Sequence, residues 1–179
     1  MSNPLFRYYV AASLDGFIAT ADGGVAWLDP FNEADFGYET FLSEIGTVVL
    51  GRATYDQVRG FGDWPYRGKQ GYVVTSTALS DPPDGVQAHH GGIGDLARRL
   101  RTESDKDIWI VGGGRTAAGF LAAGALDRIE LFVMPLLLGM GIPFLPAGAQ
   151  TANLALIASE PAPRGVVKLT YSVESAGQS

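Results

Sequence analysis

The sequence predicts an α/β fold in which a mixed, mostly parallel sheet lies between two layers of helices. Short apolar segments alternate with segments of helical periodicity along most of the 179 residues, which indicates parallel strands joined by helices. Two strand-like segments, 154–160 and 166–173, follow each other at the end of the chain and favour an antiparallel edge. Because no repeat and no long linker divides the chain, residues 1–175 are predicted to form one domain.

Strands are predicted where short apolar runs end at a turn. Before the two C-terminal strands, they cover residues 6–13, 47–50, 72–75, 86–89, 107–111 and 129–134. Residues 19–30, rich in Gly, Asp and Ala, are predicted to form a loop.

Helices are predicted in the intervening segments. Asn32 is the expected N-cap of the first, which runs to about Ile45 with an apolar stripe at helical spacing. The second is expected from about Ala53, the third to end near Ser104, and the fourth over residues 116–123.

Composition and charge exclude several classes of function. The net charge of -6 argues against a nucleic-acid surface, because phosphate binding requires clustered Lys and Arg. The chain has no cysteine, and its two histidines, His89 and His90, are adjacent on a predicted strand and point to opposite faces, so we expect no metal. Residues 131–149 carry no charge, but three prolines and three glycines would break a helix there. We therefore expect no membrane span and a cytoplasmic protein.

A run of three glycines, Gly112–Gly114, joins the predicted strand 107–111 to a helix. Glycine allows close approach of a ligand to the backbone, and the free amides of a helix start favour phosphate. A Rossmann dinucleotide motif would require an acid at the end of the next strand, which ends instead at Met134–Pro135. The remaining alternative is a tight turn that binds nothing.

Two other strand ends carry residues of similar chemistry. Gly51, Arg52 and Thr54 follow one strand, and Thr75 and Ser76 end another. Ligands of open α/β sheets bind outside the carboxyl ends of the strands, and Arg binds phosphate with two parallel donors. These ends together predict a site for one ligand that is rich in anionic groups.

The order of these motifs resembles the dihydrofolate reductase superfamily over about the first 175 residues. The resemblance depends on Ala11–Ala12, the segment 15–18, Trp27, and the segments 50–55, 74–76 and 110–115. Residues 13–16, 124–130 and 135–143 are more similar to the reductase domain of riboflavin biosynthesis. The resemblance implies a dihydrofolate reductase-like three-layer fold that binds NADPH.

The family resemblance also implies roles for individual residues. Arg52 and Thr54 would bind cofactor phosphates, Arg52, Thr75 and Ser76 would lie at the 2′-phosphate, and Ala12 and Ile18 would contact the nicotinamide. The peptide between Gly112 and Gly113 would correspond to a cis bond of the family. The full set of implied cofactor residues is Ala12, Ile18, Gly51, Arg52, Thr54, Thr75, Ser76, Val111, Gly112, Gly113, Gly114, Arg115 and Thr116.

The sequence assigns fewer residues to the binding and protonation of the substrate than to the cofactor. Folate reductases carry an acid on the first helix, which corresponds here to Asp35 when counted from Gly51 and to Asn32 when counted from Trp27. Asp35 is thus the candidate catalytic residue or a solvated helix carboxylate, and Trp27 and Asp29 are candidate substrate contacts. Asp15 is expected to cap the turn 14–16.

Two positions differ from the family pattern. Ala117 replaces an aromatic residue of folate reductases. Phe17 replaces the Lys or Arg that follows Asp-Gly in enzymes reducing phosphoribosyl pyrimidines.

The leading functional hypothesis is hydride transfer from NADPH to a small heterocycle, as in 5-amino-6-(5-phosphoribosylamino)uracil reductase of riboflavin biosynthesis. The alternatives are a dihydrofolate reductase and a non-catalytic NADP-binding protein. The apolar segment 131–145 and the family resemblance together predict a homodimer. In the alternative, residues 136–138 fold back over the chain's own sheet.

Overall fold

The computed structural model describes residues 3–174, which contain ten strands and four α-helices. The strands are β1 (Phe6–Ser13), β2 (Phe17–Ala19), β3 (Ile45–Gly51), β4 (Gln70–Val74), β5 (Val86–His89), β6 (Asp107–Gly112), β7 (Arg128–Met134), β8 (Ile142–Pro143), β9 (Leu154–Pro161) and β10 (Val167–Val173). The helices are α1 (Tyr38–Glu44), α2 (Arg52–Gly60), α3 (Ile93–Glu103) and α4 (Gly114–Ala122). Short 3₁₀ helices cover Ala26–Phe31 and Pro163–Gly165.

Eight of these strands form one sheet in the order β5-β4-β3-β6-β1-β7-β10-β9. The strands from β5 to β7 pair in parallel, whereas β10 pairs antiparallel with both β7 and β9. The carboxyl ends of β1, β3, β4, β6 and β7 therefore lie along one edge of the sheet.

The helices cover both faces of the sheet. Leu96 and Leu100 of α3 and Phe120 of α4 pack with Phe6 and Tyr8 on one face. On the other face, Phe41 of α1 and Tyr55 of α2 pack with Val48, Leu50 and Trp109. This three-layer arrangement confirms the predicted α/β fold. Residues 1, 2 and 175 of the predicted domain lie outside the described residues.

The start of the first helix was predicted wrongly. Asn32 is not its N-cap, because α1 begins at Tyr38 after Gly37, which has a φ of 76°. The side-chain oxygen Oδ1 of Asp35 accepts a hydrogen bond from the Gly37 amide and stabilises this turn. The segment before it turns so that Phe31 and Phe36 both pack against Phe132 and Met134, which overrides the helical spacing of the sequence.

The segments 17–30 and 136–145 contain structure that the sequence did not predict. The predicted loop 19–30 contains the 3₁₀ helix Ala26–Phe31, and β2 pairs antiparallel with β8. Leu136 is half-buried against Phe132 and Met134, as in the fold-back alternative, but Leu137 is 68% exposed. Within residues 3–174, no helix has the length and apolar character needed to cross a bilayer.

Candidate active site

Three of the predicted ligand-binding segments lie side by side at the carboxyl edge of the sheet. They follow β4, β3 and β6, which are consecutive strands of the sheet. Gly51 and Gly112 are neighbours across the β3–β6 pair, where Leu50 is in register with Gly112. The fold thus brings the segments 51–54, 75–76 and 111–116 to one edge.

The helices α2 and α4 begin next to each other at this edge. The N-caps are Gly51 and Gly113, and neither helix start is capped by a side-chain hydrogen bond from the described residues. A methyl group on Gly51 would lie 2.6 Å from Oγ1 of Thr116, which shows how closely the two starts approach. The first amides of both helices are therefore available to an anion, and both helix dipoles favour negative charge there.

The Arg52 side chain is held in place by its neighbours. Its Nε donates to both carboxylate oxygens of Asp56 at 3.0 Å, and its Nη1 donates to Oγ1 of Thr77 at 2.7 Å. Thr75 and Thr77 are linked through their hydroxyl oxygens at 3.3 Å. The predicted cofactor residues Arg52 and Thr75 thus belong to one hydrogen-bonded group. Thr77, which links them, is not among the residues that the sequence predicted.

The remaining predicted cofactor residues differ in their exposure and in the element to which they belong. Arg115 and Ser76 are exposed, Thr116 is buried, and Val111 is half-buried at the end of β6. The peptide between Gly112 and Gly113 is cis. Ala12 is buried near the end of β1, and Ile18 lies in the middle of β2.

A cavity of about 460 Å³ opens over the strands β1, β6 and β7. It is bounded by these strands, by the 3₁₀ helix and by the turn that leads into α1. Its lining residues are Tyr9, Val10, Ala11, Leu28, Phe31, Asn32, Ala34, Asp35, Phe36, Tyr38, Glu39, Trp109, Phe132 and Met134. A pocket of this size with mostly apolar walls, several aromatic side chains and few polar groups is typical of a small-molecule site.

Tyr9 lies at the centre of the aromatic residues around the cavity. Its ring stacks on Phe41 with the centroids 3.8 Å apart and meets Phe132 and Trp109 edge-on. The Trp109 Nε1–H donates to the Tyr9 carbonyl at 3.1 Å, which fixes the indole. Burial raises the pKa of Tyr9 above its ordinary value, so its hydroxyl stays protonated at neutral pH.

Of the three residues predicted on the substrate side, the structure places only Asp35 among the described lining residues of the cavity. Asp35 lines the cavity and is exposed, although it lies in the turn before α1 and not on the helix. Trp27 and Asp29 are not among the described lining residues. Trp27 packs with the apolar cluster around Phe132, and Asp29 accepts a 3.3 Å hydrogen bond from Asn32.

Sequence reasoning did not identify most of the cavity wall. Tyr9 and Ala11 could have been found from the alternation of β1, because residues two apart on a strand share a face. Phe132 and Trp109 carry no such local signal, since only the sheet order brings them next to β1. Glu39 was missed because α1 begins at Tyr38 and not at Asn32.

Asp15 links two segments at the edge of the site. Its Oδ1 accepts hydrogen bonds from the Ser13 hydroxyl and the Leu138 amide, and its Oδ2 accepts one from the Gly139 amide at 2.7 Å. These donors lower the pKa of Asp15, with Ser13 making the largest contribution. Besides stabilising its own turn, Asp15 therefore holds the segment 136–145 against the end of β1.

Comparison with known proteins identifies relatives of this chain. The sequence profile of the RibD C-terminal domain matches residues 4–168. The uncharacterized protein YwjB of Bacillus subtilis is 39% identical over 137 residues, which is 75% of this chain and 79% of YwjB.

Solved structures are similar over nearly the whole chain. A Shewanella sp. PV-4 protein assigned to riboflavin biosynthesis is 29% identical with a TM-score of 0.84, covering 95% of this chain and 99% of that one. The diaminohydroxyphosphoribosylaminopyrimidine deaminase/5-amino-6-(5-phosphoribosylamino)uracil reductase of Thermotoga maritima has a TM-score of 0.70 at 14% identity, covering 96% of this chain and 57% of that one. This last similarity concerns the fold.

Proposed function

This chain belongs to the RibD C-terminal domain family of reductases, and we propose that it is an NADPH-dependent reductase that transfers hydride to a small heterocyclic substrate. One observation carries this proposal. The uncapped starts of α2 and α4 converge at the carboxyl edge of the sheet, and a largely apolar cavity with six aromatic residues in its wall opens over β1, β6 and β7 of the same sheet. A dinucleotide needs an anion site of this kind, and a flat substrate ring needs such a cavity next to it.

The residues present fit the proposed cofactor. The amides at the starts of α2 and α4, together with Thr54 and Arg115, would bind the diphosphate. Arg52, Thr75 and Ser76 would bind the 2′-phosphate, with Arg52 oriented by Asp56 and Thr77. Ala12 and Ile18 would lie along the nicotinamide. When bound, NADPH supplies the hydride.

The chain's own residues orient the substrate and exclude water from it. The walls of Tyr9, Trp109 and Phe132 would hold a flat ring by stacking. Asp35 is the proposed proton-handling group, because it is an exposed carboxylate among the lining residues of the cavity. A positioned proton donor of this type contributes about a hundredfold or more to a rate.

Oxidation of NADPH, followed by the nicotinamide absorbance, tests the activity against the ribosylaminopyrimidinedione, dihydrofolate and simple quinones. We expect turnover of at least one heterocycle and a preference for NADPH over NADH. Turnover of dihydrofolate alone would support the folate reductase alternative. Tight NADPH binding without any turnover would support a non-catalytic NADP-binding protein, and equal affinity for NADPH and NADH would contradict the cofactor assignment.

We further propose that the protein works as a cytoplasmic homodimer on a small-molecule substrate. The exposed apolar side chains of Leu14, Leu137 and Met140 support an interface at the segment 136–145, because apolar groups grouped on a surface mark contact sites. Membership of a family of metabolic reductases supports the cytoplasmic location.

A further inference from the structure

The cavity beside β1 is lined by residues of unbalanced charge. Asp35 and Glu39 are both at its mouth, and none of its described lining residues is Lys or Arg. Asn32 is the one neutral amide among them. Among the described lining residues, an anionic group in the cavity would thus meet two carboxylates and no Lys or Arg.

Two cations, Arg7 and Lys168, lie on the same face of the sheet as the cavity and are held by carboxylates. Arg7 is buried and donates to both carboxylate oxygens of Glu130 at 2.8 Å, as well as to Glu44 and Asp107. Lys168 lies over the rings of Tyr9 and Phe132 and 3.8 Å from the same Glu130 carboxylate. Four of the five N–H donors of the Arg7 guanidinium are thus bound to carboxylates, and the Lys168 ammonium faces the same Glu130 carboxylate, so carboxylates offset the charge of both cations.

The polar groups inside the cavity favour neutral or cationic partners. Burial raises the pKa of Tyr38 as it does that of Tyr9, so both phenols are uncharged donors. The aromatic side chains in the wall, Trp109 and Phe132 among them, carry negative ring faces that attract cations and the electron-poor faces of heteroaromatic rings.

We propose that this cavity takes a flat heteroaromatic ring that is neutral or cationic and carries no phosphate, with Asp35 and Glu39 accepting hydrogen bonds from its amino or ring N–H groups. This inference rests on the proposed reductase function, because it assigns the substrate class of the same site. The phosphate-binding groups of the chain, at the starts of α2 and α4, then serve the cofactor alone.

A matched pair of ligands tests the proposal. The ribosylaminopyrimidinedione with and without its 5′-phosphate would be titrated by calorimetry into the free protein and into its NADPH complex. We expect the compound without phosphate to bind at least about tenfold more tightly. Repulsion between a phosphate and the two partly solvated carboxylates of Asp35 and Glu39 has an effect of this order. Equal or tighter binding of the phosphorylated compound, or binding of neither, would overturn the proposal.

Variants identify the groups responsible. Asp35→Asn retains an oxygen that can accept the Gly37 amide, so it should fold and reduce the discrimination against phosphate by roughly fivefold. Glu39→Gln should act in the same direction. Glu33→Gln is the matched control, because Glu33 is exposed on the same segment but is not a described lining residue. If Asp35→Asn and Glu39→Gln both retain the wild-type discrimination, as the Glu33→Gln control should, the carboxylates do not select the ligand and the proposal fails.

The same titrations separate this proposal from the reductase function. NADPH binding is measured on its own, so its absence would refute the cofactor site while the ring-binding result still stands. Tight NADPH binding with a preference for the phosphorylated ring would refute only the substrate class. The variant Arg164→Ala then tests whether Arg164 contacts the phosphate of the ring compound. Arg164 lies on the turn beside Ala162 and Val166, which pack near the cavity. Loss of phosphate affinity in this variant would assign the phosphate to that turn.

Discussion

Gly113 and Gly114 are adjacent at the start of α4, but their surroundings differ. A methyl group on Gly113 would meet only Oγ1 of Thr54, at an ordinary distance of 3.5 Å. On Gly114 it would lie 2.7 Å from the Phe144 carbonyl oxygen and 3.0 Å from that of Pro143. The first position therefore has room for a side chain, and the second does not.

We predict that Gly113→Ala keeps the stability of the wild type and lowers NADPH affinity by about tenfold or more, because its methyl group points toward the first turn of α2 where the diphosphate is proposed to bind. Gly114→Ala should instead lose roughly 1–3 kcal/mol of stability, since backbone must shift to accommodate it. Thermal unfolding and calorimetric titration of both variants measure the two effects. If a folded Gly113→Ala protein binds NADPH with wild-type affinity, the glycine run is a tight turn that does not contact the cofactor.

Arg52 gives a second prediction at the scale of a residue. Removing a charge-assisted contact to the 2′-phosphate costs about 1.5–3 kcal/mol, so Arg52→Ala should weaken NADPH binding by about tenfold to a hundredfold. NADH lacks that phosphate, and its affinity should change little. Asp56→Asn is the control, because it releases Arg52 but leaves its charge in place. Equal losses for both cofactors in Arg52→Ala would move the 2′-phosphate away from this side chain.

The residues at strand ends could be predicted because their chemistry is local. Gly51–Thr54 and Gly112–Thr116 each combine a strand end, a glycine and a helix start within a few positions, and the sheet order then brings them together. The cavity wall is different, since Tyr9, Trp109 and Phe132 come from three strands that are distant in sequence. No local pattern states that these three side chains will meet.

At the scale of elements, the segment 136–145 is attached to β1 through the carboxylate of Asp15. The pKa of Asp15 is lowered in the folded state, so its contribution is present above the pKa of the unfolded chain and is lost as the pH falls through the folded value. Acid should thus loosen this segment below a pH of about 4, the region of an ordinary Asp pKa.

We predict that Asp15→Asn speeds hydrogen exchange of the Leu138 and Gly139 amides at neutral pH, because both donate to this carboxylate. The variant should also lose most of the acid-dependent change that the wild type shows. Asp22→Asn is the matched control, since hydrogen bonds also lower the pKa of Asp22 but come from Thr20 and Gly24. Unchanged protection of Leu138 and Gly139 in Asp15→Asn would mean that other contacts hold the segment.

The elements that were missed share a physical cause. The pairing of β2 with β8 joins residues more than 120 positions apart through two very short strands, which have no periodicity to detect. The delayed start of α1 has a related origin, because Phe31 and Phe36 pack in the cluster around Phe132. In both cases a distant partner decides the local backbone, whereas the long buried strands β1, β3, β6 and β7 follow from their own sequence.

At the scale of the whole molecule, several exposed apolar side chains of the described residues fall into two groups. One contains Leu14, Leu137 and Met140 beside the active site, and the other contains Leu154, Leu156 and Ile157 on β9. Each group is a candidate for the interface of the proposed homodimer. In a two-fold symmetric dimer, the same group on each subunit would be buried against its copy.

We predict that the wild type has about twice the mass of the 18.9 kDa chain by light scattering at micromolar concentration. Leu137→Asp should shift it toward the monomer, because Leu137 is 68% exposed in the segment 136–145 and a carboxylate cannot be buried there without a partner. Leu156→Asp is the matched comparison, since Leu156 is 57% exposed on β9 and should not affect assembly. If Leu156→Asp alone gave monomers, the interface would lie on the C-terminal strands, and a wild-type mass of one chain would refute the dimer itself.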